Sequence, residues 1–293
     1  MQVTAPTEEQ SRRGLRMQCV VSPSYRHLAS WLRQIPQLFA TRQGKLLYDG
    51  RNQIRLFQVG GEQLVVKRYK RHDIIKMFIY TFFRKSKAQR SYENAVALKE
   101  RHFLTPPEVA YLEERRAGLI LQVYYVCAYT DWQPIKPRLI EQDPYDEALA
   151  ISYAHFVASL HESGVLHRDL NPTNVLYQER DAHFHFQLID INRMQFFNTP
   201  VPKAQCMENL TLFWWLTPIY RFILKVYAAD RKWTAADVET ACEVKKRHDR
   251  RWVRRKRFTH LWKKKINDST FACIFSPQRK QRAQRCTENY FSF

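Results

Sequence analysis

The order of two apolar patterns along the chain constrains its fold more than any other feature. In the first half, short apolar runs that alternate with polar residues are separated by turn residues, as in an antiparallel sheet. Gly60-Gly61 separates two of these runs, which predicts a two-residue hairpin. The predicted strands are Leu46–Tyr48, Ile54–Val59, Leu64–Tyr69, Val109–Leu112 and Leu119–Val126.

Helical patterns dominate the second half. A proline-containing linker follows Tyr129, and the segment from Tyr145 to Ser163 has the pattern of a helix ended by Gly164. Strands followed by helices predict an α+β fold with two lobes. We therefore divide the chain into a tail with an accessory helix (1–40), an antiparallel-sheet N-lobe with one helix (41–129) and a mainly helical C-lobe (130–293).

Three segments of the first 101 residues have patterns of their own. Residues 1–20 are polar, which predicts a loose tail without a secretory signal. Apolar residues spaced three and four apart between Leu28 and Leu38 predict one helix, with Ser24 as its N-cap. Ser86 to Arg101 predicts a charged amphipathic helix, whereas Ile74 to Phe83 is too short to span a membrane and can at most lie on its surface.

The composition favours an intracellular protein that meets polyanions. Lys and Arg number 48 against 28 Asp and Glu, a net charge of +20 that suits anionic membranes, phosphorylated substrates or nucleic acid. The six cysteines form no C-x-x-C pair, so we expect reduced thiols rather than a disulfide framework or a zinc site. A cytoplasmic location follows, and the oligomeric state is left open.

Two segments of the second lobe raise the question of membrane contact. Leu210 to Ala229 is apolar, but Pro218, Arg221 and Lys225 interrupt it, so a buried helix is predicted rather than a membrane span. Lys245 to Arg257 is a basic run with an interleaved tryptophan. It suits either a solvated charged helix or a surface for anionic headgroups and anionic sugars, and nucleic acid is not expected because no nucleic-acid-binding module pattern accompanies it.

The strongest functional signal is His167-Arg168-Asp169 followed by Asn174. These residues match H-R-D-x-x-x-x-N, the catalytic loop of protein kinases, at every defined position. In that loop a carboxylate accepts a hydrogen bond from the attacking hydroxyl, and an amide oxygen five residues later holds a metal ion. The motif predicts Asp169 as the catalytic base and Asn174 as a metal ligand, while His167 is expected to pack under the loop rather than to act as a base.

Other residues follow in the order that this chemistry requires. Asp190 ends an apolar strand at Phe186–Ile189, where kinases place their main metal-binding aspartate. Lys67 closes the third strand, as the phosphate-binding lysine of kinases does. Glu93, on the following helix, is predicted to pair with Lys67, with Glu100 as a rival.

The glycine-rich loop of kinases is reduced here to Asp49-Gly50-Arg51-Asn52. One glycine stands where kinases have three, so cradling of phosphates by backbone N–H groups is weaker or is supplemented by Arg51. We assign Gly50 and Arg51, together with Lys67 and Glu93, to ATP binding.

Several motifs resemble the bacterial lipopolysaccharide core kinases, the Kdo and heptose kinase family of the protein-kinase-like superfamily. They are Asp-Leu-Asn at 169–171, Leu-Ile-Asp-Ile-Asn at 188–192, Arg-Ser-Tyr-Glu-Asn at 90–94 and Thr105-Pro106-Pro107, and the similarity covers roughly residues 44–225. The resemblance implies a bilobal protein-kinase-like fold and transfer of phosphate from ATP, with Mg²⁺, to a sugar hydroxyl of the lipopolysaccharide inner core on lipid A. It also implies work at the inner face of the cytoplasmic membrane, with Asp169 as base, Asn174 and Asp190 as magnesium ligands, and Lys67 with Glu93 at the phosphates.

Departures from protein kinases leave other functions open. Asn171 replaces the lysine that Ser/Thr kinases carry two residues after the base, and no Ala-Pro-Glu follows Asp190, with only a short segment before a helix expected near Glu208. These features disfavour a protein substrate. The alternatives are a protein kinase or another small-molecule phosphotransferase of the superfamily, and a pseudokinase scaffold. For an anionic sugar acceptor, Arg168 and Arg193 are the predicted binding cations, with anchoring of the loop as the alternative role of Arg168.

Overall fold

The computed structural model describes residues 15–70 and 84–270, with side chains described up to residue 256. The predicted surface segment Ile74 to Phe83 therefore lies outside the described residues, as do Cys273, Cys286 and residues 1–14. The four other cysteines are free thiols. Within the described residues, no helix is long and apolar enough to cross a membrane.

The first lobe is built on an antiparallel sheet with the strand order β1-β5-β6-β4-β3-β2. Its strands are Leu15–Val21 (β1), Lys45–Asp49 (β2), Gln53–Val59 (β3), Glu62–Arg68 (β4), Glu108–Arg116 (β5) and Leu119–Ala128 (β6). The predicted meander is confirmed, because β2, β3 and β4 pair in sequence. Gly60 and Gly61 both have positive φ at the β3–β4 turn, a conformation that glycine adopts without steric strain.

The prediction of a loose tail is wrong for residues 15–20, which belong to β1. All seven residues of β1 pair with β5, from Leu15 opposite Arg116 to Val21 opposite Ala110. Met17, Cys19 and Val21 pack against the core of the sheet, while Leu15, Arg16 and Gln18 are exposed, so β1 has one apolar face.

Helices cover both faces of this sheet. Leu28, Leu32, Ile35 and Phe39 form one core with alternate sheet residues such as Leu64 and Val66. These four residues belong to a 3₁₀ turn (Pro23–Leu28) and two short helices, Ala29–Leu32 (α1) and Ile35–Ala40 (α2). The helix Lys87–Glu100 (α3) lies near a second core that includes Tyr69, Tyr111 and Ala88.

The accessory helix was predicted as one continuous element, and this is wrong. Pro36 near the start of α2 cannot donate a backbone hydrogen bond, and its ring clashes with the carbonyl four residues earlier, so a helix through Leu32 cannot continue. Ser24 lies inside the 3₁₀ turn rather than at an N-cap. The segment nevertheless packs against the first lobe, because it shares a core with the sheet.

The second lobe is mainly helical. Its helices are Glu147–Glu162 (α4), Lys203–Leu210 (α5), Pro218–Asp230 (α6) and Ala235–Thr270 (α7). Two small antiparallel groups of strands accompany them: Gln133–Pro134 (β7) with Val175–Arg180 (β9) and His183–Leu188 (β10), and Val165–His167 (β8) with Met194–Phe196 (β11). These short strands carry the residues that precede and follow the predicted catalytic loop.

The helix boundaries follow from caps and prolines. The side chains of Ser86 and Asp146 accept hydrogen bonds from Gln89 N at 3.1 Å and Leu149 N at 2.9 Å, so these two residues are the N-caps of α3 and α4. The apolar stretch from residue 210 to 229 is not one helix, because Pro218 starts a new one, α6. Most of α6 faces the core, as predicted for a buried element. The helix expected near Glu208 begins earlier, at Lys203.

Candidate active site

The two lobes enclose a cleft of about 630 Å³ that contains most of the predicted site residues. Leu47, Tyr48 and Arg51 contribute from the β2–β3 hairpin, and Thr173, Asn174 and Asp190 from the second lobe. Lys67 lies between them at the end of β4. Gly50 lies in the hairpin turn and borders the adjoining groove with Arg51, Arg68 and Lys70.

Lys67 and Asp190 form an ion pair, with 2.7 Å between Nζ and Oδ1. Burial tends to raise the pKa of Asp190, but the Lys67 ammonium and a hydrogen bond from Asn192 hold that pKa below its ordinary value. Burial lowers the pKa of Lys67, yet Tyr69 and the Asp190 carboxylate raise it above its ordinary value. Both groups are therefore charged at neutral pH.

The backbone holds Asp190 in the left-handed region, at φ 54° and ψ 42°. Aspartate tolerates this region better than branched residues do, and such conformations cluster at functional sites. Asn192, two residues later, donates from Nδ2 to Asp190 Oδ1 at 2.7 Å. Asn94 on α3 donates to the carbonyl of Ile191 at 2.7 Å, which ties the first-lobe helix to this turn.

Glu93 does not pair with Lys67, contrary to the prediction. Its carboxylate accepts hydrogen bonds from Lys85 at 2.8 Å and from Gln89 at 3.0 Å, and its side chain is 40% exposed. The buried face of α3 carries Ser91, whose hydroxyl lies 2.8 Å from the Tyr69 hydroxyl. Two residues after Ser91, Glu93 points about 200° around the helix and away from the sheet.

The catalytic-loop residues are joined by short local hydrogen bonds. Asn171 Nδ2 lies 3.2 Å from Asp169 Oδ1, so the residue that replaces the kinase lysine orients the predicted base. Asn174 Nδ2 donates to the Asp169 carbonyl at 2.9 Å. This bond turns Asn174 Oδ1 away from the loop backbone. Asp169 Oδ2 accepts no hydrogen bond from the described residues and is free to receive one from a hydroxyl.

His167 has the expected structural role beneath the loop. Its Nε2 donates to the carbonyl of Ile189 at 2.9 Å, and its Nδ1 accepts from the backbone N–H of Asp169 at 3.1 Å. Burial lowers the pKa of His167, so the ring is neutral and this tautomer satisfies both bonds. His167 thereby connects the Asp169 loop to the strand that leads into Asp190.

Several cations line the cleft or lie beside it. Lys67 Nζ lies 5.2 Å and Lys87 Nζ 5.9 Å from the centre of the Tyr69 ring. Arg168 and Arg193, the predicted acceptor-binding residues, are both exposed. The pKa of Lys87 is lowered by burial and then by neighbouring cations, which are Arg51, Arg193, Arg90 and Lys67.

Sequence reasoning missed several residues that support the site. Asn192 stands two residues after Asp190, where kinases have glycine. The sequence shows this substitution but not the hydrogen bond that Asn192 donates to the Asp190 carboxylate. Ser91 and Asn94 lie on the same helix as Glu93, and only the phase of α3 against the sheet shows that they face inward.

Comparisons with known proteins agree with this geometry. The model of the lipopolysaccharide kinase (Kdo/WaaP) family matches residues 50–245, while no curated protein sequence is significantly similar to the chain. Among solved structures, WaaP in complex with acyl carrier protein is 18% identical with a TM-score of 0.56, covering 80% of this chain and 98% of that chain.

Two further solved structures are similar at lower scores. The Rio2 kinase–ADP/Mg²⁺–phosphoaspartate complex from Chaetomium thermophilum is 17% identical with a TM-score of 0.43, covering 78% of each chain. An aminoglycoside-3'-phosphotransferase of type VIII is 15% identical with a TM-score of 0.47, covering 75% of this chain and 98% of that chain. The family match spans well over half of the chain, and the likeness to WaaP shows the protein-kinase-like fold. The chain therefore belongs to the lipopolysaccharide kinase (Kdo/WaaP) family and is an ATP-dependent phosphotransferase.

Proposed function

We propose that the chain transfers the γ-phosphoryl group of ATP to a sugar hydroxyl, of Kdo or heptose, in the lipopolysaccharide inner core on lipid A. The observation that carries this proposal is the cleft lined by Asn174 and the Lys67–Asp190 pair, with Asp169 joined to Asn174 by a hydrogen bond. Phosphoryl transfer requires positioning and charge neutralisation more than covalent chemistry, and these four side chains are suited to both.

Each of these residues has a proposed role. Asp169 accepts the hydrogen bond of the acceptor hydroxyl through Oδ2, and Asn171 holds the other carboxylate oxygen. Lys67 binds the nucleotide phosphates from the end of β4. Apolar side chains at the hairpin and the opposite floor, including Leu47 and Leu176, suit a nucleotide base.

The residues in the cleft fit Mg²⁺. Asn174 offers an amide oxygen, because its Nδ2 is engaged, and Asp190 offers Oδ2, because both of its observed bonds go to Oδ1. The described residues contain no cluster of three His, Cys, Asp or Glu side chains around a potential metal site. This suits magnesium, which binds one or two protein oxygens together with substrate phosphates and waters. When bound, the ion neutralises charge that develops on the phosphates.

An anionic acceptor explains the cations at the mouth of the cleft. Kdo carries a carboxylate and lipid A carries phosphates, so the acceptor would otherwise be repelled by ATP. Arg168 directly precedes Asp169 and Arg193 follows Asp190 by three residues, and both are exposed. Lys87 lies close enough to Arg193 for repulsion to lower its pKa. We propose that these three side chains bind the acceptor.

The acceptor is tested by direct labelling. Purified chain, magnesium and radiolabelled ATP are incubated with Kdo-lipid A, with heptosylated lipid A core, or with casein, and mass spectrometry locates the phosphate. Transfer to one of the two glycolipids, absent in Asp169→Asn, supports the proposal and identifies the sugar. Efficient labelling of casein with none of either glycolipid would instead support a protein kinase.

We further propose peripheral attachment to the inner face of the cytoplasmic membrane through α7. Between residues 247 and 256 its exposed cations are Arg247, Arg250, Arg251, Arg254, Arg255 and Lys256. Trp252 packs edge-on against Trp215 at 4.7 Å between ring centres, and Trp215 is 36% exposed. Exposed cations beside a tryptophan suit the headgroup region of an anionic bilayer.

Vesicle flotation tests this attachment. We expect binding to vesicles with phosphatidylglycerol but not to pure phosphatidylcholine, and release at about 1 M salt, where charges are screened beyond about 3 Å. The double change Arg251→Glu and Arg254→Glu should abolish binding, while the matched first-lobe change Lys45→Glu with Lys99→Glu should not. Equal binding of both double variants would refute a role for α7.

A further inference from the structure

A buried chain of hydrogen bonds connects the helices of the second lobe to the catalytic loop. Asn209 on α5 donates from Nδ2 to the carbonyl of His167 at 2.9 Å. Asn209 Oδ1 lies 3.1 Å from His161 Nε2, and His161 Nδ1 lies 2.8 Å from the hydroxyl of Tyr227. Asn209, His161 and Tyr227 come from three different helices, and all are buried.

The direction of every bond in this chain is determined. The His167 carbonyl can only accept, so the Asn209 amide must donate to it and must accept through Oδ1. His161 therefore carries its proton on Nε2, and its Nδ1 accepts from the Tyr227 hydroxyl. Burial lowers the pKa of His161 to about 4, so the neutral ring that this arrangement requires is present at physiological pH.

The hydrogen-bond network ends at His167, the residue that connects the catalytic loop to the strand before Asp190. The ring of His167 contacts the backbone of Asp169 on one side and of Ile189, next to Asp190, on the other. The bond to the His167 carbonyl therefore fixes the position of the predicted base, Asp169, relative to the predicted metal ligand, Asp190. A displacement of about 1 Å between such groups can lower a rate by about 10²-fold.

Apolar residues of similar volume would fill this part of the core without the desolvation of three polar side chains. The bond from Asn209 to the His167 carbonyl joins these buried polar groups to the catalytic loop. We propose that Asn209 is a positioning residue for phosphoryl transfer, with its amide orientation set by His161 and Tyr227. The proposal rests on the roles of Asp169 and Asp190 given above.

Two substitutions at one position separate positioning from packing. Asn209→Leu keeps the volume but removes the donor, and Asn209→Asp replaces the donor with a carboxyl group. We expect kcat to fall about 10- to 100-fold in both at pH 8, with the KM for ATP changed by less than about three-fold, because the first-lobe groups assigned to ATP, such as Lys67 and Arg51, are untouched. Met207→Ala is the control, since Met207 is a buried residue of the same helix without a bond to the loop.

The pH profile gives a signature that loss of packing cannot produce. A protonated carboxyl at position 209 can donate to the His167 carbonyl, whereas an ionised one cannot. Burial raises the pKa of such a carboxyl, so the kcat of Asn209→Asp relative to the native chain should rise as the pH falls from about 8 to about 6. The Asn209→Leu ratio should stay constant over this range.

Amide hydrogen exchange tests the proposal without any acceptor. Peptides that cover residues 165–175 should exchange at least about ten-fold faster in Asn209→Leu than in Met207→Ala when both are compared at equal distance below their melting temperatures. If the native protein phosphorylates no glycolipid, the proposed function is refuted, but the hydrogen-exchange comparison still tests whether Asn209 positions the loop. Native exchange and native kcat in Asn209→Leu, or an equal loss of kcat in Met207→Ala, would overturn the positioning role.

Discussion

The partner of Lys67 in the structure differs from the partner that the kinase motif predicts. The kinase pattern pairs Lys67 with Glu93, whereas Lys67 contacts Asp190 and Glu93 contacts Lys85. We therefore predict that Glu93→Gln leaves phosphotransfer nearly unchanged, while Lys67→Met removes most of it.

The magnitudes follow from exposure and contact. The Glu93 and Lys85 side chains are 40% and 59% exposed, so their pair contributes about 0.2–1 kcal/mol to stability and nothing to the phosphates. Lys67 is 16% exposed and meets Asp190 at 2.7 Å. Loss of one buried cation at a reacting phosphate typically lowers kcat by about 10²–10³-fold.

A double-mutant cycle in initial phosphotransfer rate is the assay. Kinetics of Glu93→Gln, Lys67→Met and the double variant give the coupling energy between the two sites. The structure predicts coupling below about 0.5 kcal/mol and a double variant that resembles Lys67→Met with a minor additional loss. A loss of about 10²-fold in Glu93→Gln, with no further loss in the double variant, would show that Glu93 pairs with Lys67 during turnover and would refute the reasoning.

Other expectations concern the metal site, the base, a helix cap and pH. Asp190→Asn should abolish magnesium-dependent turnover in a coupled ATP assay, because the ion would lose its proposed main anionic ligand. Asp169→Asn should lower transfer by about 10²-fold or more while fluorescent nucleotide binding stays near native, since the proposed role of this residue is at the acceptor hydroxyl. Ser86→Ala should cost about 1 kcal/mol in urea unfolding, because Gln89 N loses its cap. The pKa of Asp190 is lowered from 3.8 and that of Lys67 is raised from 10.5, so the ion pair is lost only below about pH 3.8 or above about pH 10.5. The difference in free energy of unfolding between Lys67→Met and the native protein should therefore be constant from about pH 5 to about pH 9.

Local patterns predicted most elements because local physics determines them. Period-two alternation placed the strands from Lys45 to Arg68 and from Glu108 to Ala128, while an amphipathic pattern placed α3 and a helical pattern ended by Gly164 placed α4. The breaks at Pro36 and Pro218 are also local consequences of proline. They could have been read from the sequence, but the apolar spacing across them suggested continuous helices.

Features that depend on distant partners could not be read in this way. The strand β1 has alternating apolar residues at Leu15, Met17 and Cys19, but its partner β5 lies much later in the chain, with Leu15 opposite Arg116 and Val21 opposite Ala110, so this pairing could not be read from local pattern. The rotation of α3 about its axis depends on how Ala88, Ser91 and Leu98 pack, so the inward-facing residue was misassigned to Glu93. The bond from Asn209 to His167 joins residues 42 positions apart, which no motif spacing encodes.

The pairing of β1 has a practical consequence for how the protein is produced. β1 covers the outer edge of β5, whose residues from Val109 to Leu112 are buried. A version shortened to start after Val21 would keep every residue of the cleft, yet it would leave the N–H and C=O groups of β5 open along an apolar strand. Open edges of this kind pair with other molecules, so such a version would be expected to aggregate during expression while its catalytic residues remained intact.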